Sequence, residues 1–481
     1  MTPMRTMKTM QCMKISARSW CIALPLALAL ASAAARGQAG EEWTGLGRAV
    51  TLEISTRQFD KTVARFDETM TAVLPVAQLA ATWDGLLGQV GAFRDVTATR
   101  QQEAQGYHLV FVTCRFDKAT LDVKIAFDAK QRIAGLFFVP TQGQPTTQVQ
   151  PTTPGQTQSQ AQAEWAPPEY ARRSAFHERA VTVGASPWEL PGTLAVPNGP
   201  GPFPAVVLVH GSGPEDQDET IGPNRPFKDL AWGLASRGIA VLRYDKRTLR
   251  YGSRLRLDSG TFTVRDETVD DARAAVALAT AQPEIDRRRI FVLGHSLGGT
   301  LAPRIALGDP QVAGLVLMGG GARPLSKVLV EQVRYVASLG PGGATAGEAQ
   351  IRAAERAVRE IEDPALTPTT MIDLLGTSIP GSYFLDLRAY HPAPAAAELG
   401  IPILVLQAAR DYQVTMADFE EWKAALAHGP RAVFKLYQGL YHLFMPSSSA
   451  GAGLGTPADY QQPAHVVTAV IDDVARWIAA R

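Results

Sequence analysis

Cysteine is scarce in this chain, and its scarcity excludes a fold that depends on disulfides. The 481 residues include three cysteines. Cys12 and Cys21 lie in an N-terminal segment that we expect to be removed. Cys114 alone would remain, so no internal disulfide can form, and its apolar strand context indicates a small core residue rather than a nucleophile. Export without disulfides is common for a protein of this size.

Charge of one sign and long apolar runs are lacking as well. The formal net charge is +1, which gives no reason to expect nucleic acid or an acidic membrane surface as a partner. The apolar run 20–30 is too short to span a bilayer stably. Lys14 and Arg18 precede this run and the small residues 31–35 follow it, an order typical of a secretory signal peptide. We therefore expect residues 1–39 to be a signal peptide and the protein to be exported, either periplasmic or secreted.

Metal and nucleotide motifs are also missing from the sequence. It contains no H-E-x-x-H pattern, no cysteine cluster and no histidines or aspartates at ligand spacing. No G-x-G-x-x-G follows the first strand of the later domain, so a dinucleotide is not indicated. We predict that the protein needs neither a metal ion nor a cofactor. The oligomeric state does not follow from these features.

Composition divides the mature chain into a small α+β domain (40–140), a linker (141–168) and a larger domain (169–481). Apolar residues recur at helical spacing first, and strand-like alternation follows. The predicted helices are 59–73 and 76–93, and the predicted strands are 96–100, 108–116, 120–128 and 133–139. The linker is rich in Gln, Thr and Pro and has no core-forming pattern before Trp165.

The larger domain alternates strands and helices with short connections, which predicts a doubly wound, mostly parallel sheet. Residues 205–209 form a continuous apolar run, as expected for a strand covered on both faces. Between residues 323 and 399 the alternation gives way to helical sequence rich in Ala and Glu. We interpret that segment as a helical cap inserted over the active site, interrupted by the Gly-rich stretch 339–347.

The most informative pattern is Gly-His-Ser-Leu-Gly at residues 294–298, directly after the apolar run 290–293. A G-x-S-x-G between a buried strand and a helix predicts a nucleophile elbow, whose turn is so sharp that only glycine fits at the flanking positions. The turn would expose the hydroxyl of Ser296 beside a helix N-terminus, where backbone N–H groups can meet an oxyanion. An ordinary Gly-rich turn is the alternative.

A serine nucleophile needs a base and an orienting acid, and on this type of fold they follow in the order serine, acid, histidine. Asp411 follows the strand 401–407 after a short turn, although it could also be a turn or capping residue. His442 follows the last strand, 432–436. The remaining candidate histidines are less well placed, and they are His108, His177, His391, His428 and His465.

An oxyanion hole is indicated by residues 210–214, which read His-Gly-Ser-Gly-Pro after the first strand of the sheet. Glycines there let backbone N–H groups approach a substrate carbonyl. We predict that the N–H groups of Ser212 and of Leu297, the residue after the nucleophile, are the two donors. Gly213 is the alternative to Ser212.

These motifs resemble the α/β-hydrolase superfamily, above all the bacterial carboxylesterases related to dienelactone hydrolases and acyl-peptidases. The resemblance rests on residues 210–214, the acidic run 215–219, Tyr-Asp-Lys-Arg at 244–247 and Gly-His-Ser-Leu-Gly-Gly at 294–299, and it extends from about Phe176 to the C-terminus. Residues 42–140 resemble a small α+β domain of unknown function found ahead of such hydrolases.

The resemblance implies an α/β-hydrolase fold, with Ser296, Asp411 and His442 as nucleophile, acid and base. It implies Ser212 and Leu297 as oxyanion donors. The acidic run 215–219 and residues 244–247 recur in the subfamily without a firm role, and solvated charge or structural ion pairing would account for them.

Three hypotheses for function follow. The first is a serine hydrolase that cleaves small-molecule carboxylic esters of small to medium acyl chain through an acyl-enzyme. The second is a serine peptidase acting on short peptides or acylated amino acids, which would use the same residues. Peptidases of this superfamily usually carry a β-propeller, and about a hundred N-terminal residues are too few for one, so the esterase is favoured. The third is a catalytically silent binding protein, against which the complete set of candidate residues argues.

Overall fold

The structure is a computed structural model, which describes ten stretches of the chain. They are 42–67, 70–71, 74–104, 107–140, 165–255, 257–340, 347–374, 377–427, 431–448 and 453–481. The predicted signal peptide, most of the predicted linker, the centre of the Gly-rich stretch and His428 lie outside these residues. The chain divides into two compact units, 1–155 and 156–481. No helix in the described stretches is long and apolar enough to cross a membrane.

The N-terminal unit is a four-stranded antiparallel sheet with helices. Its elements are α1 (42–55), α2 (Phe59–Val63), α3 (Val76–Val90), β1 (Phe93–Ala104), β2 (Tyr107–Phe116), β3 (Thr120–Phe127) and β4 (Ile133–Pro140). The strands pair in chain order. Cys114 is fully buried in the core of this unit, and burial raises the pKa of its thiol to about 12. A protonated, buried thiol agrees with the predicted core role.

The predicted helix 59–73 is wrong as one continuous helix, because α2 ends at Val63, although residues 70–71 are helical again. Phe66 instead forms a parallel bridge with Ile133. The N–H of Ile133 donates to the carbonyl of Arg65 at 2.8 Å, and the N–H of Asp67 donates to the carbonyl of Ile133 at 3.0 Å. These sheet-like hydrogen bonds replace the helical ones, a tertiary effect that local periodicity does not report.

The larger unit begins with strands and then alternates. Its strands are β5 (Phe176–Val183), β6 (Leu190–Pro197), β7 (Phe203–Val209), β8 (Ala240–Tyr244), β9 (Ile285–His295), β10 (Val312–Met318), β11 (Met371–Leu374), β12 (Thr377–Pro380), β13 (Ile403–Ala408) and β14 (Ala432–Tyr437). Its α-helices are α4 (Pro226–Ala235), α5 (Arg247–Tyr251), α6 (Asp270–Thr280), α7 (Leu297–Ala306), α8 (Leu325–Leu339), α9 (Glu348–Glu362), α10 (Gly381–Arg388), α11 (Pro392–Ala397), α12 (Met416–Leu426) and α13 (Thr468–Ala479). Short 3₁₀ turns lie at Arg173–Ala175, Gly252–Arg254, Leu257–Ser259 and Pro457–Gln461, and a π turn at Arg265–Val269.

Eight strands form one sheet in the order β14-β13-β10-β9-β7-β8-β6-β5. The six strands from β14 to β8 are parallel, and β6 and β5 pair antiparallel at one end. The predicted doubly wound, mostly parallel sheet is therefore confirmed. The chain passes from β7 to β8 on one side and then crosses to β9 on the other side of β7. The carboxyl ends of β7 and β9 thus meet where the strand order reverses, the position at which open α/β sheets place their sites.

The segment between β10 and β13, which includes the predicted cap 323–399, is not wholly helical. It contains α8 to α11 and also the antiparallel hairpin β11–β12. Side chains of this segment contact the loops and helices at the end of the sheet. Gln332 donates to the carbonyl of Gln413 at 2.7 Å, and the Tyr390 hydroxyl donates to the carbonyl of Thr300 at 2.9 Å.

Trp165 lies inside the predicted linker but packs in the larger unit. Its ring meets that of Trp232 edge to face, with centroids 4.9 Å apart. Its indole N–H donates to Asp229 at 3.0 Å. The larger unit thus includes Trp165, which precedes residue 169, where composition placed its start.

Candidate active site

Ser296 is held in a strained backbone conformation at the turn between β9 and α7. Its φ is 53° and its ψ is −119°, a region that residues with a Cβ rarely occupy. The Ser296 N–H donates to the carbonyl of Met318 at 3.0 Å, which ties the turn to β10. Because α7 starts at Leu297, the serine lies at the positive end of a helix dipole.

The glycines on both sides of Ser296 are required by close backbone approaches. A Cβ on Gly294 would lie 2.1 Å from the carbonyl oxygen of Gly298, and a Cβ on Gly298 would lie 2.2 Å from that of Val209. Both neighbours are backbone atoms, so no side chain can move aside. The geometry is that of a nucleophile elbow, as the G-x-S-x-G pattern predicts.

Asp411 and His442 form a buried pair on the loops after β13 and β14. His442 Nδ1 and Asp411 Oδ2 lie 2.6 Å apart. The other carboxylate oxygen accepts backbone N–H groups from Gln413 at 2.8 Å and Val414 at 3.0 Å. Since a carboxylate only accepts, Nδ1 of His442 is the donor in this contact, and in the neutral imidazole the lone pair then lies on Nε2.

The end of β10 brings these three predicted residues together. A Cβ on Gly319 would lie 3.5 Å from both Asp411 Oδ2 and His442 Cε1. Gly319 directly follows Met318, whose carbonyl accepts the N–H of Ser296. Three residues that are up to 146 positions apart in the printed sequence therefore surround one strand end.

The loop after β7 borders Ser296 on another side. A Cβ on Gly211 would lie 3.3 Å from Ser296 Cβ and 3.7 Å from its Oγ. The Gly211 N–H is engaged, because it donates to Glu219 at 2.8 Å. The Ser212 N–H makes no hydrogen bond to any other described residue. Gly213, the alternative donor, adopts a φ of +99°.

A set of buried charged side chains surrounds this loop, and sequence reasoning assigned it no role. Lys246 donates to the carbonyl of Gly211 at 2.6 Å and lies 2.9 Å from Glu267. Glu219 forms an ion pair with His295 at 2.9 Å. His295, the variable residue of the G-x-S-x-G, reaches the carbonyl of His442 with Nε2 at 3.1 Å.

The pKa values of the side chains around this loop depend on their burial and on their pairing. Burial opposes ionisation of both Glu219 and His295, but each charge stabilises the other, so the pKa of Glu219 is lowered and that of His295 is raised. Burial lowers the pKa of His210 to about 4, which leaves this imidazole neutral. Burial and then the charge of Glu219 raise the pKa of Glu215 to about 7.

The structure places the other described histidines away from this arrangement. His465 pairs with Asp229, His177 with Asn198, and His108 stacks on Trp43. His391 precedes α11. In the part of the chain that the structure describes, no group of three or more His, Cys, Asp or Glu side chains could hold a metal ion.

Comparison with known families decides where this chain belongs. Residues 202–447, just over half of the chain, match the family described as serine aminopeptidase, S33. Esterase EstD of Thermotoga maritima is 35% identical over 425 residues, which cover 88% of this chain and 92% of that protein. The chain belongs to the serine aminopeptidase S33 family of α/β-hydrolases. The predicted superfamily and a hydrolase-type enzyme are thereby confirmed.

Solved structures similar to this S33 hydrolase include two esterases. Est1E from Butyrivibrio proteoclasticus is 16% identical, with a TM-score of 0.40, and the match covers 63% of this chain and 99% of Est1E. The esterase of Pyrobaculum calidifontis is 18% identical, with a TM-score of 0.41, and the match covers 63% and 85%.

The N-terminal unit of this S33 hydrolase matches a separate family. Residues 49–136 match a family of proteins of unknown function, DUF3887. This agrees with the resemblance predicted for residues 42–140. The described residues of that unit fold around a core of their own.

Proposed function

We propose that this S33 hydrolase is a carboxylesterase that cleaves esters of small to medium acyl chain through an acyl-enzyme on Ser296. One observation carries the proposal. The strained Ser296 and the buried Asp411–His442 pair lie around the same strand end. Such an arrangement of nucleophile, base and orienting acid is the one used in acyl transfer.

The proton on Nδ1 of His442 determines which step of the proposed reaction each residue carries out. Asp411 holds the Nδ1 proton of His442, so Nε2 takes the proton of Ser296 as the hydroxyl attacks the ester carbonyl. His442 then gives that proton to the leaving alcohol. Water, deprotonated by the same nitrogen, attacks the acyl-enzyme and releases the acid and the free serine. Asp411 stabilises the imidazolium that forms twice in this cycle.

The N–H groups of Leu297 and Ser212 are proposed to hold the oxyanion of both tetrahedral intermediates. Leu297 is the first residue of α7, and Ser212 follows the glycine that borders Ser296. The unengaged N–H of Ser212 supports its choice, whereas the N–H of Gly211 already donates to Glu219. Gly213 is the alternative donor. Loss of one such donor costs about 10²- to 10³-fold in kcat.

Esters are favoured over peptides as substrates. The relative from Thermotoga maritima, which aligns with 88% of this chain, is named an esterase. The family description names an aminopeptidase, so short peptides or acylated amino acids are the second candidate. A comparison of kcat/KM for aryl esters of increasing acyl length with that for aminoacyl anilides separates the two. Higher values for the anilides would reject the esterase.

Replacing Ser296 by alanine tests the nucleophile. We expect Ser296→Ala to lower kcat by about 10⁶-fold, because a nucleophile and its base act as one unit. An active-site phosphonate should label the wild-type protein on Ser296, as peptide mass spectrometry would show. Ser338→Ala, on the exposed face of α8, is a control that should leave kcat unchanged. Labelling at Ser212, or turnover by Ser296→Ala near the wild-type rate, contradicts the assignment.

We further infer that residues 1–39 act as a signal peptide and that the protein is exported. The basic residues, the short apolar run and the small residues that follow support this inference. Expression of the full chain in a bacterium, followed by N-terminal sequencing of the periplasmic fraction, tests it. A protein that keeps its first residues and stays in the cytoplasm would reject it.

A further inference from the structure

Two buried charges of opposite sign hold the glycine that borders the nucleophile. The N–H of Gly211 donates to Glu219 at 2.8 Å, and its carbonyl accepts from Lys246 at 2.6 Å. The residue exposures of Glu219 and Lys246 are 1% and 2%. Hydrogen bonds to ionised groups are stronger than neutral ones. Gly211, next to Ser296, is therefore fixed on both sides.

The contact with Lys246 also sets the direction of the proposed oxyanion donor. The peptide bond between Gly211 and Ser212 is trans, since the cis bonds lie elsewhere. In a trans peptide the C=O and N–H groups point in opposite directions. Because the Gly211 carbonyl points at Lys246, the Ser212 N–H points away from it.

Glu219 extends this contact to the base. Its second carboxylate oxygen pairs with His295 Nδ1 at 2.9 Å, and His295 Nε2 lies 3.1 Å from the carbonyl of His442. A carbonyl can only accept, so Nε2 donates. The imidazole rings of His295 and His442 lie with centroids 4.7 Å apart. One chain of contacts therefore joins Gly211 to the backbone of His442.

We propose that Glu219, His295 and Lys246 are positioning residues for the reaction at Ser296. They hold the oxyanion loop and His442 in one fixed arrangement, so that the oxyanion donors and the base act on the same carbonyl. The inference rests on the proposed function. It assigns a role to one residue of the acidic run 215–219, Glu219, and to one residue of 244–247, Lys246.

Stability alone is a weak explanation for these charges. Buried ion pairs often contribute little net free energy of folding, because desolvation offsets their attraction. Here the cost is reduced because Lys246 also meets Glu267, which accepts from the hydroxyl of Tyr383 at 2.7 Å. Positioning explains why the charges converge on Gly211 and His442, because small displacements of reacting groups cost about 10²-fold in rate.

Two near-isosteric variants test two contacts separately, that of Glu219 with His295 and that of His295 with the carbonyl of His442. Glu219→Gln keeps an oxygen that can accept from Gly211 but removes the charge that faces His295. His295→Asn keeps a donor at the Nδ1 position and removes the one that reaches His442. His465→Asn is the matched control, because His465 pairs through Nδ1 with a buried carboxylate, Asp229, at 3.0 Å.

The measured quantities are kcat and KM for an aryl butyrate, counted per site titrated with a phosphonate, and the inhibition constant of a trifluoromethyl ketone. The ketone adds to the serine and forms a tetrahedral oxyanion, so its affinity reports the positioning of the donors. Counting titrated sites removes the effect of any unfolded fraction. Thermal unfolding is measured alongside.

We expect kcat to fall about 10- to 100-fold in Glu219→Gln and His295→Asn, with KM within about threefold of wild type. The inhibition constant should rise by a similar factor. His465→Asn should lower the unfolding temperature and leave kcat and the inhibition constant at wild-type values. If Glu219→Gln or His295→Asn does not fold, the other variant is compared with His465→Asn in the same way. The double variant Lys246→Met/Glu267→Gln then takes the place of the variant that did not fold.

A wild-type kcat in the positioning variants would overturn the inference, as would a fall in kcat with an unchanged inhibition constant. A similar fall in kcat for His465→Asn would also overturn it, because a structural effect would then suffice. These results leave wild-type ester turnover intact and so leave the proposed function standing. Absence of ester turnover by the wild-type protein would contradict the proposed function and this inference together.

Discussion

Two histidine–aspartate pairs in the larger unit, each built on a buried aspartate, differ in their surroundings far more than in the distance between their partners. In one, His442 Nδ1 lies 2.6 Å from Asp411, and in the other, His465 Nδ1 lies 3.0 Å from Asp229. Both aspartates are at most 1% exposed. Both also accept backbone N–H groups, from Gln413 and Val414 in the first pair and from Val466 in the second.

The position on the sheet separates the two pairs. Asp411 and His442 follow β13 and β14, at the carboxyl end of the parallel strands, where Ser296 also lies. Asp229 lies within α4, and His465 precedes α13, in the helical layer. A carboxylate–imidazole contact alone therefore does not identify a base, because the group that faces the second ring nitrogen decides what the imidazole can do.

The largest difference between the pairs should appear when each aspartate becomes asparagine. Asp411→Asn is expected to lower kcat by about 10⁴-fold, because the amide N–H₂ favours the tautomer of His442 that cannot accept the serine proton. Asp229→Asn should leave kcat per titrated site unchanged. Steady-state kinetics of both variants with one aryl ester measure the contrast.

The free energy of unfolding should show the opposite order, with a larger loss in Asp229→Asn than in Asp411→Asn. In Asp229→Asn the new amide cannot accept from every donor that Asp229 satisfies, which include His465 and the indole of Trp165. An unsatisfied buried group costs about 1–3 kcal/mol, which thermal unfolding detects. A loss of kcat in Asp229→Asn as large as that in Asp411→Asn would remove the distinction between the pairs.

The local part of the site could be predicted from the sequence. Ser296 and its glycines form one turn, and the residues that its tight backbone requires are five neighbours in the sequence. Asp411 and His442 were predicted because each follows an apolar strand in the order typical of this fold. Such signals depend on neighbours in the chain, which is why the sequence carries them.

The contacts among charged residues could not be predicted in the same way. Glu219, Lys246 and His295 lie far apart in the chain and meet only when β7, β8 and β9 pair. The sole sequence signal was the recurrence of residues 215–219 and 244–247 in similar proteins. Tertiary pairing also explains the early end of α2 and the unpredicted hairpin β11–β12.

A smaller effect concerns the charge of Glu215 beside the loop that carries the proposed oxyanion donor. Glu215 Oε1 lies 3.6 Å from the position of a Cβ on Gly213. Its pKa is raised to about 7 by burial and by the nearby charge of Glu219, against the opposing effect of Lys246. Glu215 is therefore neutral below that pH and becomes negative above it. A negative charge beside the oxyanion loop opposes the oxyanion, so kcat should decline as pH rises past 7.

The pH profile of Glu215→Gln tests this effect. The variant should lack the decline, so its kcat for a neutral ester should exceed that of the wild type by about two- to fivefold at pH 8 and match it at pH 5.5. Stopped-assay rates across this pH range measure it at saturating substrate. Superimposable profiles would show that the ionisation of Glu215 does not reach the reacting atoms.

The smallest expected effect concerns the Asp229–His465 pair and the start of the larger unit. Because the residues assigned to chemistry all lie in that unit, a chain that begins at residue 164 should fold and cleave a small activated ester with the kcat of the full protein. A chain that begins at residue 167 lacks Trp165, which donates to Asp229 and packs on Trp232. Its kcat should be unchanged, and its unfolding temperature should be lower by about 2–6 °C.

Thermal unfolding and ester kinetics of the two shortened chains, beside the full protein, check both statements. Equal unfolding temperatures would mean that Trp165 adds nothing to the Asp229–His465 region. If the chain from residue 164 were insoluble or inactive while Ser296 in the full protein still reacted with a phosphonate, the two units would form one cooperative structure. The difference between the histidine–aspartate pairs would then have to be sought in the whole chain, because the helical layer around Asp229 would depend on residues outside the larger unit.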